Sequence, residues 1–219
     1  MVTYESLKAN KTISTYIESA DATMAAMGFT DHGFAHVMKA AETAAMILTA
    51  LGYDERTVEL ARIAGYLHDI GNLVNRVNHA ETGAVIAFRI LDKLEMDATE
   101  IASVVTAIGN HDEGTGVPVN AVSAALILAD KTDVRRSRVR NRDIAAFDIH
   151  DRVNYSVEKS QLTLSEDKRE ITLRLTIDTA ISSVMDYFEI FLTRMVMSRK
   201  AAEKLGLRFR LVINDQQVL

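Results

Sequence analysis

Ile63-Ala64-Gly65-Tyr66-Leu67-His68-Asp69-Ile70-Gly71 runs from an apolar stretch into a polar pair and then a glycine. Val58, Leu60, Ile63 and Leu67 recur at a spacing that predicts a helix, capped by Asp54 and stopped near Gly71. A histidine and a carboxylate at the end of a buried helix must find partners, because unpaired buried polar groups are costly. Neighbouring helical residues diverge by about 100°, yet a metal ion lying off the helix surface between them can bind both. The plainer reading is a helix-end aspartate hydrogen-bonded beside a satisfied histidine. The dipeptide alone does not choose, since His111-Asp112 and His150-Asp151 repeat it.

Two positions elsewhere sharpen the choice. Asp130 ends the run Leu126-Ile127-Leu128-Ala129-Asp130. An ionised carboxylate on such an apolar helix needs a cation, an arginine or several donors. His36 lies among Ala35, Val37, Ala40 and Ala41. Each has a plainer reading: a salt bridge to one of the arginines at 135–142 for Asp130, and a core histidine bonded to a carbonyl for His36. Together, on separate helices that can converge, the four residues suggest a metal centre.

The rest of the 219-residue chain frames that centre. Apolar residues make up 48%, there is one proline, and ten glycines leave few breakers, so helices are favoured. There is no cysteine, which excludes disulfides, zinc-thiolate sites and thiol catalysis. Any metal must be held by His, Asp or Glu. The net charge of -5 argues against bulk nucleic-acid or anionic-membrane binding. No signal-peptide pattern opens the chain. The longest nearly unbroken apolar stretch, Ala121 to Ala129, is too short to span a bilayer. A cytoplasmic protein is expected.

Helices are predicted over about 10–27, from a cap at Thr30 or Asp31 to about 51, and from Asp54 onward. Asn78 with Glu81 and Asp97 with Glu100 read as capping boxes for helices over about 79–95 and 98–110. Asn120 caps the helix that carries Asp130, and a short helix covers about 143–151. After Val153 the pattern alternates, predicting a hairpin over 161–164 and 170–177. A long amphipathic helix follows over about 180–204, then a last strand over 207–213. The fold class is therefore mainly α: a helical domain over 1–152 and a small α+β subdomain over 153–219, suited to packing, dimerisation or shielding.

The ordered set His36 … His68-Asp69 … Asp130 resembles the H…HD…D signature of the HD superfamily, across roughly residues 30 to 135. Leu67-His68-Asp69-Ile70-Gly71 and Leu128-Ala129-Asp130-Lys131 fit it locally. The resemblance implies a helical bundle whose ligands come from separate helices, and hydrolysis of phosphate esters by metal-activated water. One or two divalent ions are implied (Mn, Fe, Mg, Ni or Zn). Some members place extra histidines between the two aspartates to hold a second metal. His79 and His111 fall there, and Asp69 would then bridge both ions. Their plainer readings are a first-turn residue and a helix C-terminal charge. Asp69 is also the candidate to orient the nucleophile or accept its proton, ahead of Asp112, Glu113 and Glu81. His32, one turn before His36, ranks lower, and His150-Asp151 reads as structural or interfacial.

Lys131, Arg135 and Arg136 are candidate substrate-binding residues. They lead into a run with five arginines in the eight residues 135–142, and guanidinium forks match phosphate geometry. Salt bridges to Asp143, Asp148 and Asp151 are the alternative. Phosphodiesterase members that cleave cyclic dinucleotides often read H-D-I-G-K, with G-Y-P later. Here Asn72 stands at the lysine position and Gly-Tyr-Pro is absent, which weakens any transfer of that specificity. The expected function is a metal-dependent phosphohydrolase acting on a nucleotide or another small phosphorylated compound. The alternative is a nucleotide-binding regulator that keeps the metal pocket but turns over little.

Overall fold

In the computed structural model, which describes residues 1–219, nine helices precede and flank a small sheet. They are α1 (Tyr4–Lys8), α2 (Lys11–Ala26), α3 (Phe34–Leu51), α4 (Glu55–Leu67), α5 (His79–Lys93), α6 (Ala98–Gly109), α7 (Ala121–Lys131), α8 (Ile149–Ser156) and α9 (Val184–Lys204). The strands are β1 (Val157–Leu164), β2 (Glu170–Ile177), β3 (Arg208–Ile213) and the two-residue β4 (Gln216–Gln217). The chain is mainly α, as its composition predicts.

α7 is the central element. Every residue from Val122 to Lys131 is buried, as expected of a helix that is apolar on all faces. Val122, Ala125, Leu126 and Ala129 join the core of the helical bundle. Ala124, Ile127 and Leu128 join a second core under the sheet, with Leu173, Leu175, Phe191 and Leu211. Asp130 therefore sits where both cores meet. α3 packs against α4 and α7. By length and composition α3 is apolar enough to cross a membrane, yet eight of its eighteen residues are buried in the protein core, His36 among them.

Small residues set how close the site-bearing helices come. A Cβ on Gly65 would lie 2.6 Å from the Ala41 Cα, so α3 and α4 touch backbone to backbone. Gly71 sits in a 3-10 turn, Ile70–Leu73, that follows α4. A Cβ there would strike the His79 carbonyl and the Gly83 backbone of α5. Only glycine fits either position without moving a helix.

The caps differ from expectation in three places. α3 starts from Gly33 with no side-chain cap. Asp31 instead donates its N–H to the Arg138 carbonyl at 2.8 Å, and its carbonyl accepts from Arg138 Nε at 3.0 Å. Asn78 adopts a left-handed conformation with φ of 58° and makes no cap bond, while Glu81 turns to accept from Thr115. Asp97 does cap α6, but Glu100 pairs with Arg56 rather than closing a box. Asn120 caps α7 reciprocally with Ser123. The helix expected at 143–151 divides into a 3-10 turn, Ile144–Ala146, and α8, because Asp148 caps afresh on the Asp151 N–H.

β1 follows α8 directly and starts at Val157, four residues before the expected strand. It pairs antiparallel with β2, Leu162 opposite Leu173. α9 then crosses over so that β3 pairs parallel to β2, Leu173 opposite Leu211. The sheet order is β1-β2-β3-β4, and α9 packs against both α7 and β3.

Candidate metal centre

Four histidines, from α3, the end of α4, the start of α5 and the end of α6, meet at two aspartates. The His36 and His68 Nε2 atoms approach to 3.2 Å, and those of His79 and His111 to 3.1 Å. Asp69 lies between the two pairs. Its Oδ2 is 3.5 Å from His36 Nε2 and 3.3 Å from His68 Nε2. Its Oδ1 is 3.6 Å from His79 Nε2 and 3.9 Å from His111 Nε2. Asp130 Oδ1 completes the first group, 3.3 Å from His36 Nε2.

The far side of each ring explains the near side. His68 Nδ1 donates to the Gly65 carbonyl at 2.8 Å, His111 Nδ1 to Ile108 at 2.6 Å, and His79 Nδ1 to Arg76 at 3.1 Å. His36 Nδ1 donates to Asp133 Oδ2 at 2.8 Å. With that proton on Nδ1, a neutral imidazole presents a lone pair at Nε2. The His79 Nε2 accepts from Arg76 Nη1 at 3.1 Å, and the other three meet no protein donor. Lone pairs cannot satisfy one another or a carboxylate. Asn72 Nδ2 donates to Asp69 Oδ1 at 3.0 Å, but Asp69 Oδ2 faces two lone pairs. A cation would resolve this conflict. Donor atoms bound at about 2.1 Å lie about 3.0–3.4 Å apart around an ion, close to the shorter separations here. His36, His68 and Asp130 form one group whose ligand atoms fall within 4.8 Å of one another, and His68, Asp69 and His111 form another.

Protonation favours the same chemistry at His79, His111 and the two aspartates, whereas a metal ion must displace a proton from His68. Burial lowers His79, and it lowers His111 well below the ordinary histidine value, helped by His68. Burial also disfavours charge on His68, but Asp69 and Asp130 outweigh it and raise its pKa. Burial opposes ionisation of Asp69 and Asp130 too. For Asp69 the His68 contact outweighs it, and for Asp130 Lys131 does, so both lie well below the carboxylate range. Ionised carboxylates with neutral imidazoles are the forms that bind metal.

A family model described as the HD domain matches residues 33–189. The chain belongs to the HD family. HD membership puts it in a superfamily of metal-dependent phosphohydrolases, and its buried His/Asp groups suit a divalent ion. An uncharacterised protein of Methanocaldococcus jannaschii is 26% identical over 211 residues, covering 85% of this chain and 79% of that protein. A solved structure of a predicted HD superfamily hydrolase from an uncultured Thermotogales bacterium is 25% identical. That likeness covers 55% of this chain and 67% of the other, with a TM-score of 0.42.

The other residues singled out from the sequence fall around this HD centre. Lys131 is buried, with Nζ 2.8 Å from Asp130 Oδ2 and 2.5 Å from Glu113 Oε2. Arg135 leaves the helix, because α7 ends at Lys131, and its Nε donates to Asp133 Oδ1 at 2.9 Å. Arg136 donates to the Tyr155 carbonyl and stacks on the Tyr155 ring. Arg135 and Arg136 line a separate groove with Lys39 and Lys159. Asp112 Oδ1 is 3.9 Å from His79 Nε2. The His32 ring lies 5.7 Å from that of His36.

A cleft of about 400 Å³ adjoins the centre, with His32, Arg76, Glu113, Arg138, Phe191 and Arg194 on its walls. His150 and Asp151 stand at its rim. Sequence reading missed Asp133, Arg76 and Arg194, and placed Arg138 only within the arginine run 135–142. Asp133 had one available signal: a second aspartate three residues past Asp130 in a buried segment. Arg76 and Arg194 had none that set them apart from other surface cations.

Proposed function

We propose that this HD protein is a metal-dependent phosphohydrolase that cleaves a phosphoester of a small compound, with nucleotides the first class to test. The observation that carries this is the convergence of four histidine Nε2 atoms on Asp69, whose two oxygens face two separate pairs of rings. That division would let His36, His68 and Asp130 hold one divalent ion and His79 and His111 help hold a second, each with an oxygen of Asp69 in reach.

A divalent ion held by His36, His68, Asp69 and Asp130 would act as a Lewis acid, acidifying bound water and neutralising phosphoester oxygens. The protein residues do the rest. The Nδ1–H bonds of the histidines hold their rings in one orientation. Asn72 fixes the Asp69 carboxylate by its 3.0 Å contact, leaving Asp69 as the group that orients the nucleophile. Arg76 and Arg138 carry positive charge into the cleft, where a phosphate dianion is attracted and oriented. Asp112, 28% exposed beside His79, is the candidate to exchange protons with solvent.

Metal analysis of purified protein and a screen of phosphomonoesters and phosphodiesters test the reading. Asp69→Ala is expected to abolish metal retention and lower hydrolysis at least about 100-fold, since the metal contributes several kcal/mol of transition-state stabilisation. Protein that binds no divalent metal, with hydrolysis untouched by Asp69→Ala, would sink it.

A further inference from the structure

We propose that Arg194 binds an anionic, phosphate-type group of the substrate, with Glu113 and Phe191 holding its guanidinium in place. The inference rests on the phosphohydrolase reading of the adjoining centre. It adds a binding residue from α9, beyond the stretch that matches the HD model at residues 33–189.

Arg194 Nε donates to Glu113 Oε1 at 3.0 Å. Its guanidinium carbon lies 4.6 Å from the Phe191 ring centroid. One contact fixes the back of the fork and the other fixes its plane. The two terminal nitrogens make no hydrogen bond to the protein, whereas Nε does. The side chain is 19% exposed and lines the cleft beside the metal centre. A guanidinium held at its back, with its terminal donors left for the cleft, is preorganised for two oxygens of one phosphate.

Glu113 is itself anchored. Its Oε2 lies 2.5 Å from Lys131 Nζ, and Lys131 Nζ lies 2.8 Å from Asp130 Oδ2. The chain Arg194–Glu113–Lys131–Asp130 therefore sets the fork at a constant position relative to the metal-facing aspartate. Lys131 is buried between two carboxylates, and Arg135 and Arg136 line a different groove. Arg194 takes the role that the arginine run suggested from sequence.

Calorimetric titration of the Mn2+-loaded, full-length protein with inorganic phosphate tests this without requiring turnover. Hydrolysis of p-nitrophenyl phosphate is measured alongside. R194Q is expected to weaken phosphate binding and raise KM about 10- to 100-fold, the value of a charge-assisted hydrogen-bonded pair. Its Mn2+ affinity and kcat are expected to stay within about threefold of wild type, because the fork touches neither metal donor directly. R194K keeps the charge but loses the fork, and is expected to fall between the two. If R194Q does not fold, the R194K comparison decides. Unchanged phosphate affinity in the variants overturns the proposal. So does a loss of Mn2+ affinity that accounts for the loss of phosphate binding, which makes Arg194 a positioning residue only. Wild-type protein that binds no phosphate also overturns it. Wild-type protein that binds phosphate but hydrolyses nothing overturns the phosphohydrolase reading alone, and the titration still judges Arg194.

Discussion

Asp133 shows how much of the centre lies behind its metal-facing atoms. Its carboxylate accepts the His36 Nδ1 proton at 2.8 Å and is also contacted by Lys39 at 3.0 Å and Arg135 at 2.9 Å. Burial alone would raise its pKa, but His36, Arg138 and Lys39 outweigh burial and hold it well below the carboxylate range. Asp133→Ala removes the acceptor that fixes the His36 tautomer. Divalent-metal affinity, read by competition with a chelating dye, is expected to fall about 10- to 100-fold, as for other partners of metal-binding histidines. An unchanged affinity would show that His36 is oriented by packing alone. Glu113 makes a second prediction. Burial raises its carboxyl, but Lys131 and Arg194 outweigh burial and bring it down to about 2. A depressed carboxylate contributes stability that is fully present above its ordinary value near 4.5 and is lost as pH falls toward about 2. Glu113→Gln is expected to flatten that part of the acid unfolding curve, by an amount on the order of 3 kcal/mol. Superimposable wild-type and variant curves between those pH values would refute the assignment.

At the scale of elements, the site depends on helices that touch without side chains between them. Gly71 leaves no room for a Cβ against the His79 carbonyl and Gly83. Gly71→Ala must push α5 away from the turn that follows α4. Overpacking of this kind costs about 1–3 kcal/mol, which lowers the melting temperature by several degrees in a chain of this size. Because His79 opens α5 and Asp69 precedes the turn, the same variant is expected to lose affinity for a second divalent ion before the first. Two-site metal titration checks this, and equal loss at both sites would separate α5 spacing from the His79–His111 pair. The caps teach a related lesson. Asn78 and Glu81 have the residue types of a capping box, yet Asn78 is left-handed and Glu81 reaches Thr115. Cap chemistry read from sequence assumes an extended N-cap backbone, and here the turn after the 3-10 segment denies it.

In the whole molecule, α7 joins the bundle to the sheet. Its two faces belong to different hydrophobic cores, and Asp130 near its end faces the His36–His68 pair. A cation would give Asp69 and the Nε2 atoms around it a shared partner, so metal binding should stabilise the entire fold. At a free metal concentration 100 times Kd the linkage amounts to about 2.7 kcal/mol. Thermal melting with and without a chelator is expected to differ by about 5–10 °C, and the difference should vanish in Asp69→Ala. A chelator with no effect on wild-type melting would argue that the centre is satisfied without an ion. α9 contributes at this scale too, because Arg194 brings the C-terminal part of the chain to the cleft wall.

His68-Asp69 at the end of an apolar helix, Asp130 on an apolar run and the order of the four signature residues were legible in the sequence. So were the mainly helical fold and the hairpin, long helix and last strand that follow. Those features are local: periodicity, cap chemistry and the cost of burying a charge can be read along a few turns of chain. Their partners could not be read that way. Asp133 and His36 are 97 residues apart, and Arg194 and Glu113 are 81. Nothing local distinguishes Arg194 from the arginines at 135 and 136. Only packing of α9 against α7 brings it to the cleft, while the end of α7 turns Arg135 and Arg136 away. The sequence determined which side chains can bind a metal. The tertiary structure decided which histidine faces which oxygen of Asp69, and which cation faces the cleft beside it.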